Sequence, residues 1–538
     1  MERMGLFLPL ILVLSLAVRG LFVISVPPEL FGDEIDAGYQ AYSLLRTGRD
    51  IYGQLFPVYI HSLSEWRAPL LMYATVPAIA AFGLNEMGVR LPQVIFGSLT
   101  PVILFLLVYR TTRSKSLSIL SSLSLSLSPW HIHYSRVAFE VVILLDLLLL
   151  ATLLYLHKKY FLSAWFMALT FYTYSTAVVF TPLWLVSLLI TTKKRPTLIS
   201  CLLFTIAITP FILNLVSGRA AGRFGLVSIF SGREVVDKIT HLRGESALPA
   251  ENLWHNRPES YFWLFYHNYL RAFSAEFLFV RGDPTVRHNM QYIGQLLPLT
   301  APFLVLGIIY LVKKRHWLWL TWLLLAPVPS ALTIDGAFHA TRLFLMIPPL
   351  AVATGSGFLM ILNLKSKILN LILLTVFVFH FAQVGHYYLV HYPKASWRWW
   401  QVGYKSSMQS LDRLAPGFDR IFINNTYEPS LIRFLFYTGY SPDRFHSSFK
   451  LDQPVAGIQP GYDGFSLDDK YYFGDFSSPS PGTEYAQRLQ PGSLYLVSQR
   501  DDVGGEWDWR TSPPEGVQVL DTAVNPYHQP VFYLVTRR

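Results

Sequence analysis

Long apolar runs separated by two unlike kinds of polar segment constrain this chain more than any motif does. One kind is tiny and basic: Arg110, Arg113 and Lys115; Lys158 and Lys159; Lys193, Lys194 and Arg195; Lys313, Lys314 and Arg315; Lys365 and Lys367. The other is large and holds nearly every carboxylate: residues 27–88, 218–294 and everything after about residue 391. Short Lys/Arg-rich loops between spans stay in the cytoplasm. The large acidic segments are therefore expected outside, and so is any chemistry built on them.

The chain carries 44 Lys+Arg against 34 Asp+Glu, a net charge of +10. Taken whole, that excess would suit a nucleic-acid partner. Its distribution removes the idea. Arg3 and the five basic clusters hold 14 of the cations alongside a single acid, Glu2, and the remainder sums to −3. The excess is a topology signal, and no nucleic-acid partner is expected. A composition 52% hydrophobic and only 14% charged suits a polytopic membrane protein. The sole cysteine, Cys201, excludes a disulfide within the chain.

Spanning helices need about 20 apolar residues. About eleven are predicted, near 5–26, 88–109, 116–134, 139–156, 160–175, 177–192, 197–216, 295–312, 316–333, 342–362 and 368–389. The first is read as a retained span, because Arg19 interrupts it and no small-x-small cleavage site follows. With the N-terminus cytoplasmic, an odd count leaves the C-terminus outside the cell (inner) membrane. The stretch 68–82 is short and Pro-punctuated, and is read as an interfacial helix.

The first outer loop, 27–88, opens with FGDEIDAGYQAYSLLRTGRD. Its spacing predicts an amphipathic helix with Asp33 near the N-cap and Gly48 at the stop, resting on the membrane surface. The large outer loop, 218–294, is aromatic and Arg-rich, a candidate lid. From about residue 397, DRIFINN, SLYLVSQR, VQVLDTAV and PVFYLVTRR predict strands, with helical patterns near 396–414 and 428–437 and turns at SPSPG and PPEG. The division expected is a helical membrane domain, 1–390, and an extracytoplasmic α/β domain, 391–538.

Charged groups at membrane depth are costly and usually have a task. Several gather at the outer rim: Asp33 and Glu34 after the first span; Arg67 in WRAPL; His131, His133, Arg136 and Glu140 in SPWHIHYSRVAFE; Arg281, Asp283, Arg287 and His288 in RGDPTVRHN; Asp335, His339 and Arg342 in IDGAFHATR. Carboxylates beside guanidinium and imidazole groups suit an activated hydroxyl attacking a phosphate ester, with the cations holding the phosphate. The plainer readings are a helix cap for Asp33 and Glu34, a helix-terminal acid for Glu140, headgroup anchors for Arg67 and Arg342, interfacial His131 and His133, and ordinary loop residues for Asp283 and His288. Asp146, among leucines, is left unassigned. HExxH, Walker A and GxSxG motifs are absent.

The order of these segments, with Arg67, Pro69 and Leu70 and then FGLNEMGVRLPQVIFG, resembles the GT-C fold membrane glycosyltransferases over about residues 1–390. The branch is the protein O-mannosyltransferase and aminoarabinose-transferase superfamily, in its bacterial family-39-like members. The resemblance implies a polyprenyl-phosphate sugar donor, a glycan, lipid or protein acceptor, and surrounding membrane lipids. It places Asp33 at the catalytic acid, Glu34 beside it, and Glu140 near a second acidic position. Glu86 and Arg90 match the positions opening the second span, and Arg67 stands where relatives carry a lysine near the lipid phosphate. The site expected is Asp33, Glu34 and Glu140 for catalysis; Arg67, Arg342, Arg136 and His339 for the donor phosphate; Glu86, Asp283 and His288 for substrate. No cofactor is assigned, and a divalent metal ion between Asp33 and the phosphate stays open. The rival readings are a lipid or sugar transporter or flippase, a glycan ligase or polymerase of the same fold, and a surface binding protein working through its C-terminal domain.

Overall fold

The computed structural model describes residues 7–62, 65–219, 225, 227–245, 251–450, 453–476 and 481–538. Within them, helices occupy every one of the eleven predicted apolar segments. Four are long and apolar enough to cross a membrane: Glu86–Thr112, Leu198–Val216, Ala340–Leu362 and Lys367–Ala395. Seven more apolar helices run 10–17 residues, among them Phe7–Gly20, Val141–Leu156 and the predicted interfacial helix, Leu70–Phe82. Four of the eleven predicted spans thus have a full-length apolar helix among the described residues. Val141–Leu156, at 16 residues, rises about 24 Å, short of a hydrocarbon core of about 30 Å.

Each basic cluster makes a tight turn between consecutive helices. Arg113, Lys158, Lys193, Arg315 and Lys365 have φ between 54° and 62°. Left-handed residues at helix C-termini capture orphan carbonyls, and cations there meet the negative end of the helix dipole. The same five clusters that carry the topology signal also reverse the chain.

The chain divides into two compact units: Met1–Phe22, Val58–Leu71 and Arg90–Leu389; and Val23–Pro57, Met72–Val89 and Val390–Arg538. In the first, helix Ile347–Leu362 runs against its neighbours at backbone distance. A Cβ on Gly307 would lie 1.6 Å from the Ala353 carbonyl oxygen, and one on Gly357 would lie 1.9 Å from that of Phe303. Small residues are the means by which apolar helices approach so closely. The Ser/Leu-rich run forms helix Lys115–Ser126, capped by the Ser114 hydroxyl, with Ser118, Ser121, Ser122 and Ser126 buried. A two-stranded ladder pairs β1 (Ile60–His61) with β2 (Trp66–Arg67).

In the second unit, seven strands follow: β3 (Ile421–Asn424), β4 (Val455–Gln459), β5 (Tyr462–Leu467), β6 (Tyr471–Phe476), β7 (Leu494–Ser498), β8 (Val517–Val524) and β9 (Pro530–Arg537). Their order is β4-β5-β6-β3-β7-β9-β8, with β3 parallel to both β6 and β7 and the remaining pairs antiparallel. The central strands β3 and β7 are buried throughout, as the continuous apolar runs IFI and LYLV require. Phe422 stacks on Tyr495 at 4.6 Å in a core that includes Trp509 and Tyr533. The four predicted strands and both predicted helical regions are present. The predicted SPSPG turn lies largely outside the described residues, as do 220–224, 226 and 246–250 of the large loop and the first residues of the first span.

Helix Gly32–Thr47 starts and stops as predicted, with Asp33 and Glu34 in its first turn and Gly48 in the left-handed conformation, φ 69°. The surface placement predicted for it is corrected. Most of its residues are buried in protein. It lies against helices Leu431–Tyr437 and Pro442–Ser448, and a Cβ on Gly38 would meet the Phe436 ring at 2.6 Å and Val89 at 2.7 Å. Of its apolar positions, Ile35, Ala37, Ala41 and Leu44 are buried and Leu45 is exposed.

Candidate functional site

Three of the segments singled out in the sequence meet in the first unit. Helix Pro129–Tyr134, set by Pro129 in its first turn, carries His133 and Tyr134 to the other two. His133 Nε2 bonds the Arg287 carbonyl at 2.7 Å, and its Nδ1 contacts the Tyr388 hydroxyl at 2.9 Å. The Tyr134 and Thr341 hydroxyls share a 2.8 Å hydrogen bond. The Phe139 ring, next in sequence to Glu140, lies 5.6 Å from that of His288. Glu140 itself is half-buried at the N-cap of helix Val141–Leu156.

Asp283 holds the second and third segments together. Its Oδ1 accepts the Thr285 N–H and its Oδ2 the Ala340 N–H, both at 2.7 Å. His288 Nδ1 lies 3.2 Å from Oδ2. Burial works to raise the Asp283 carboxyl, but the His288 hydrogen bond and the Ala340 amide hold it below its usual value. His339, whose ring lies 5.2 Å from that of His288, is pushed down by burial first, then by Arg342 and His288. Arg342 is buried; its Nη1 donates to the Thr333 hydroxyl at 2.8 Å and pairs with Asp335. Burial tends to raise the Asp335 carboxyl, and the guanidinium of Arg342 brings it below the ordinary value. Here one guanidinium, three imidazoles and two carboxylates stand together on the 129–134, 283–288 and 335–342 segments.

Two predicted arginines are engaged within the first unit. Arg136 Nη1 donates to the carbonyls of Val18, Arg19 and Leu21 at 3.1, 3.0 and 2.7 Å. It thereby caps helix Phe7–Gly20, whose last carbonyls have no intrahelical donors. Arg67, on β2, pairs with Glu65 at 3.3 Å. Beside it Trp66 stacks on His61 at 4.5 Å and lies under the Arg219 guanidinium at 4.7 Å. Away from these loops, Arg19 is fully buried; it donates to the Ser126 carbonyl at 3.2 Å and to His131 Nδ1 at 2.9 Å. Asp146 is buried too.

The second unit holds Asp33, Glu34 and Glu86. Asp33 is half-buried and Glu34 fully buried. The Glu428 carboxylate crowds Gly32: a Cβ there would lie 1.9 Å from its Oε2. Glu428 is in turn held by buried Arg433 at 3.0 Å. Glu86 pairs with Lys405 at 2.7 Å. Glu29 accepts the N–H groups of Gly403 and Lys405 at 3.0 and 3.1 Å. Glu29, Lys405, Glu428 and Arg433 went unmarked in the sequence. The one hint was NNTYEPS, a turn-rich run with an acid.

No curated protein matches the sequence. Among solved structures, ArnT from Cupriavidus metallidurans aligns twice. The form bound to undecaprenyl phosphate is 12% identical, over 99% of this chain and 98% of that chain, with TM-score 0.45. The apo form is 13% identical over the same shares, with TM-score 0.46. The oligosaccharyltransferase of Archaeoglobus fulgidus, in complex with Zn and sulfate, is 10% identical over 80% of this chain and 61% of that chain, with TM-score 0.49. At such scores the likenesses assign no role to any residue. Over residues 10–192, roughly a third of its length, the chain matches the dolichyl-phosphate-mannose-protein mannosyltransferase family.

Proposed function

We propose that this protein is a membrane glycosyltransferase that moves a hexosyl or pentosyl group from a polyprenyl-phosphate carrier to an acceptor hydroxyl at the extracytoplasmic face. The family match carries this reading: it spans Asp33, Glu34, Arg67, Glu86, Arg136 and Glu140. The gathering of the 129–140, 281–289 and 335–342 segments supports it. So does the sidedness of the charges, which leaves little cytosolic chain to bind a nucleotide-sugar.

In this reading Asp33, assisted by Glu34 or Glu140, takes the acceptor proton. The acceptor oxygen bonds the anomeric carbon as the bond to the lipid phosphate breaks, inverting the centre in one step. The phosphate leaves as an anion and needs no proton. Arg67 and Arg342 supply the charge that favours its departure, with His339 as a further donor. Arg136, its Nη1 engaged by carbonyls, holds the helix end below that rim. Glu86, Asp283 and His288 shape the substrate's surroundings. We assign acceptor docking to the C-terminal domain. Asn425, Asp475, Ser498 and Asp502 crowd the carboxyl ends of its parallel strands, where open α/β sheets commonly bind ligands.

The test is Asp33→Asn. Transfer from a polyprenyl-phosphate sugar is expected to fall by about two or more orders of magnitude while the protein still inserts and elutes as a single species. Unchanged turnover removes Asp33 from the mechanism. A transporter is the second reading, favoured by the buried Arg19 and Asp146, since intramembrane ionisable groups often mark transport paths. Protein-dependent movement of labelled lipid across liposomes without sugar transfer would select it.

A further inference from the structure

Asp283, His288 and His339 come from two loops about 50 residues apart in sequence. One ligand-capable atom of each lies within 4.8 Å of the other two. The Asp283 carboxylate is 3% exposed and aimed by the amides of Thr285 and Ala340, one on each oxygen. Backbone donors of this kind orient ligating carboxylates and leave a lone pair on each oxygen free. The 3.2 Å between His288 Nδ1 and Asp283 Oδ2 is longer than a charge-assisted hydrogen bond of about 2.7–2.9 Å. It is close to the separation of two tetrahedral ligands on zinc, about 3.3 Å for bonds of about 2.0–2.1 Å. Nδ1 of His339 is buried without a hydrogen-bond partner among the described residues. A buried polar atom left that way is costly unless something else engages it.

We propose that Asp283, His288 and His339 form a mononuclear site for a divalent transition metal, zinc by donor chemistry, with one coordination position open. Two imidazoles and a carboxylate select metals of the zinc, cobalt and nickel class over magnesium or calcium, which take oxygen ligands. Three protein ligands with a fourth position vacant is the pattern of zinc that binds a further molecule. Arg342, three residues beyond His339, would add a cation beside that position. An anionic group, such as a phosphate oxygen, is the chemistry such a pair would take. The site excludes Asp33 and stands whether or not the chain transfers sugar.

The test uses the full, untagged chain in detergent, stripped with chelator, reloaded with zinc and dialysed against metal-free buffer. Wild type is expected to retain about one zinc per chain by mass spectrometry, and His288→Gln and His339→Ala less than about a tenth of that. Cobalt loading of wild type is expected to give a visible d–d absorption band that one equivalent of zinc displaces and both variants lack. Circular dichroism matching wild type reports that the variants fold, and the cobalt spectrum of wild type needs no variant at all. Zinc retention no higher in wild type than in His339→Ala, or no cobalt band in wild type, would overturn the site and leave the three groups a hydrogen-bonded loop clasp. Neither result bears on sugar transfer.

Discussion

The Lys405 ammonium donates to the Glu86 carboxylate at 2.7 Å across 319 residues of sequence, and the Glu86 side chain is only 5% exposed. Glu29 takes the amides of Gly403 and Lys405 at the start of helix Tyr404–Leu414. Removing one member of a buried pair strands the other charge away from water. Lys405→Ala is expected to destabilise the protein by roughly 2–3 kcal/mol, toward the low end of such losses because the lysine is partly exposed. Glu86→Gln should cost roughly 1 kcal/mol, and the double variant less than the two together. Denaturant midpoints of the three variants check this; strict additivity would deny the pairing.

Arg342 tests the phosphate role. Arg342→Gln is expected to lower transfer by about two orders of magnitude. Arg342→Lys should retain part of it, since an ammonium keeps the charge and loses the planar fork. The bond to Thr333 and the pair with Asp335 also tie its loop. The loss should therefore appear in kcat as well as KM, with the thermal midpoint of the lysine variant unmoved. Full transfer by the glutamine variant would leave Arg342 a loop tie alone.

Asp502 gives the sheet domain a pH dependence. Burial pushes its carboxyl up to about 7, Asp475 and Asp501 adding to the rise against the Ser498 amide and Asn424. An unfolded aspartate titrates near about 3.9. Between those values the folded form holds the proton more tightly. The stability this gives is complete below about pH 4 and lost as pH rises through about 7. The melting midpoint of the domain, followed by hydrogen exchange of residues 494–498, is expected to fall by a few degrees from pH 5 to pH 8. Asp502→Asn should flatten that fall. A midpoint rising with pH would contradict the assignment.

Much of the membrane unit was legible because its determinants are local. Apolar run length located the apolar helices but not the polar ones at Arg233–Glu245 and Arg257–Arg271, and the five basic clusters located five turns, whose left-handed residues are those same cations. Gly48 ended its helix as glycine does. Strands β5 and β6 were missed because Gly464 and Gly474 face each other across the pair. A Cβ on either would lie about 2 Å from the opposite backbone, and glycine in a sequence reads as a turn. The loops that carry Asp283, His288, His339 and Arg342 were visible as outer-rim charge. Which groups touch was not, because periodicity says nothing of contacts between remote loops. The same blindness hid Lys405 behind Glu86 and Glu428 against Gly32, and left the burial of helix Gly32–Thr47 unforeseen.

The most direct measurement is incubation of the purified chain with a panel of polyprenyl-phosphate sugars and candidate acceptors, with mass spectrometry of the lipid. At least one donor is expected to yield free polyprenyl phosphate and an acceptor gaining one sugar of inverted configuration, in an amount that Asp33→Asn abolishes. Intact lipid across the whole panel, or equal release by wild type and Asp33→Asn, would contradict the account.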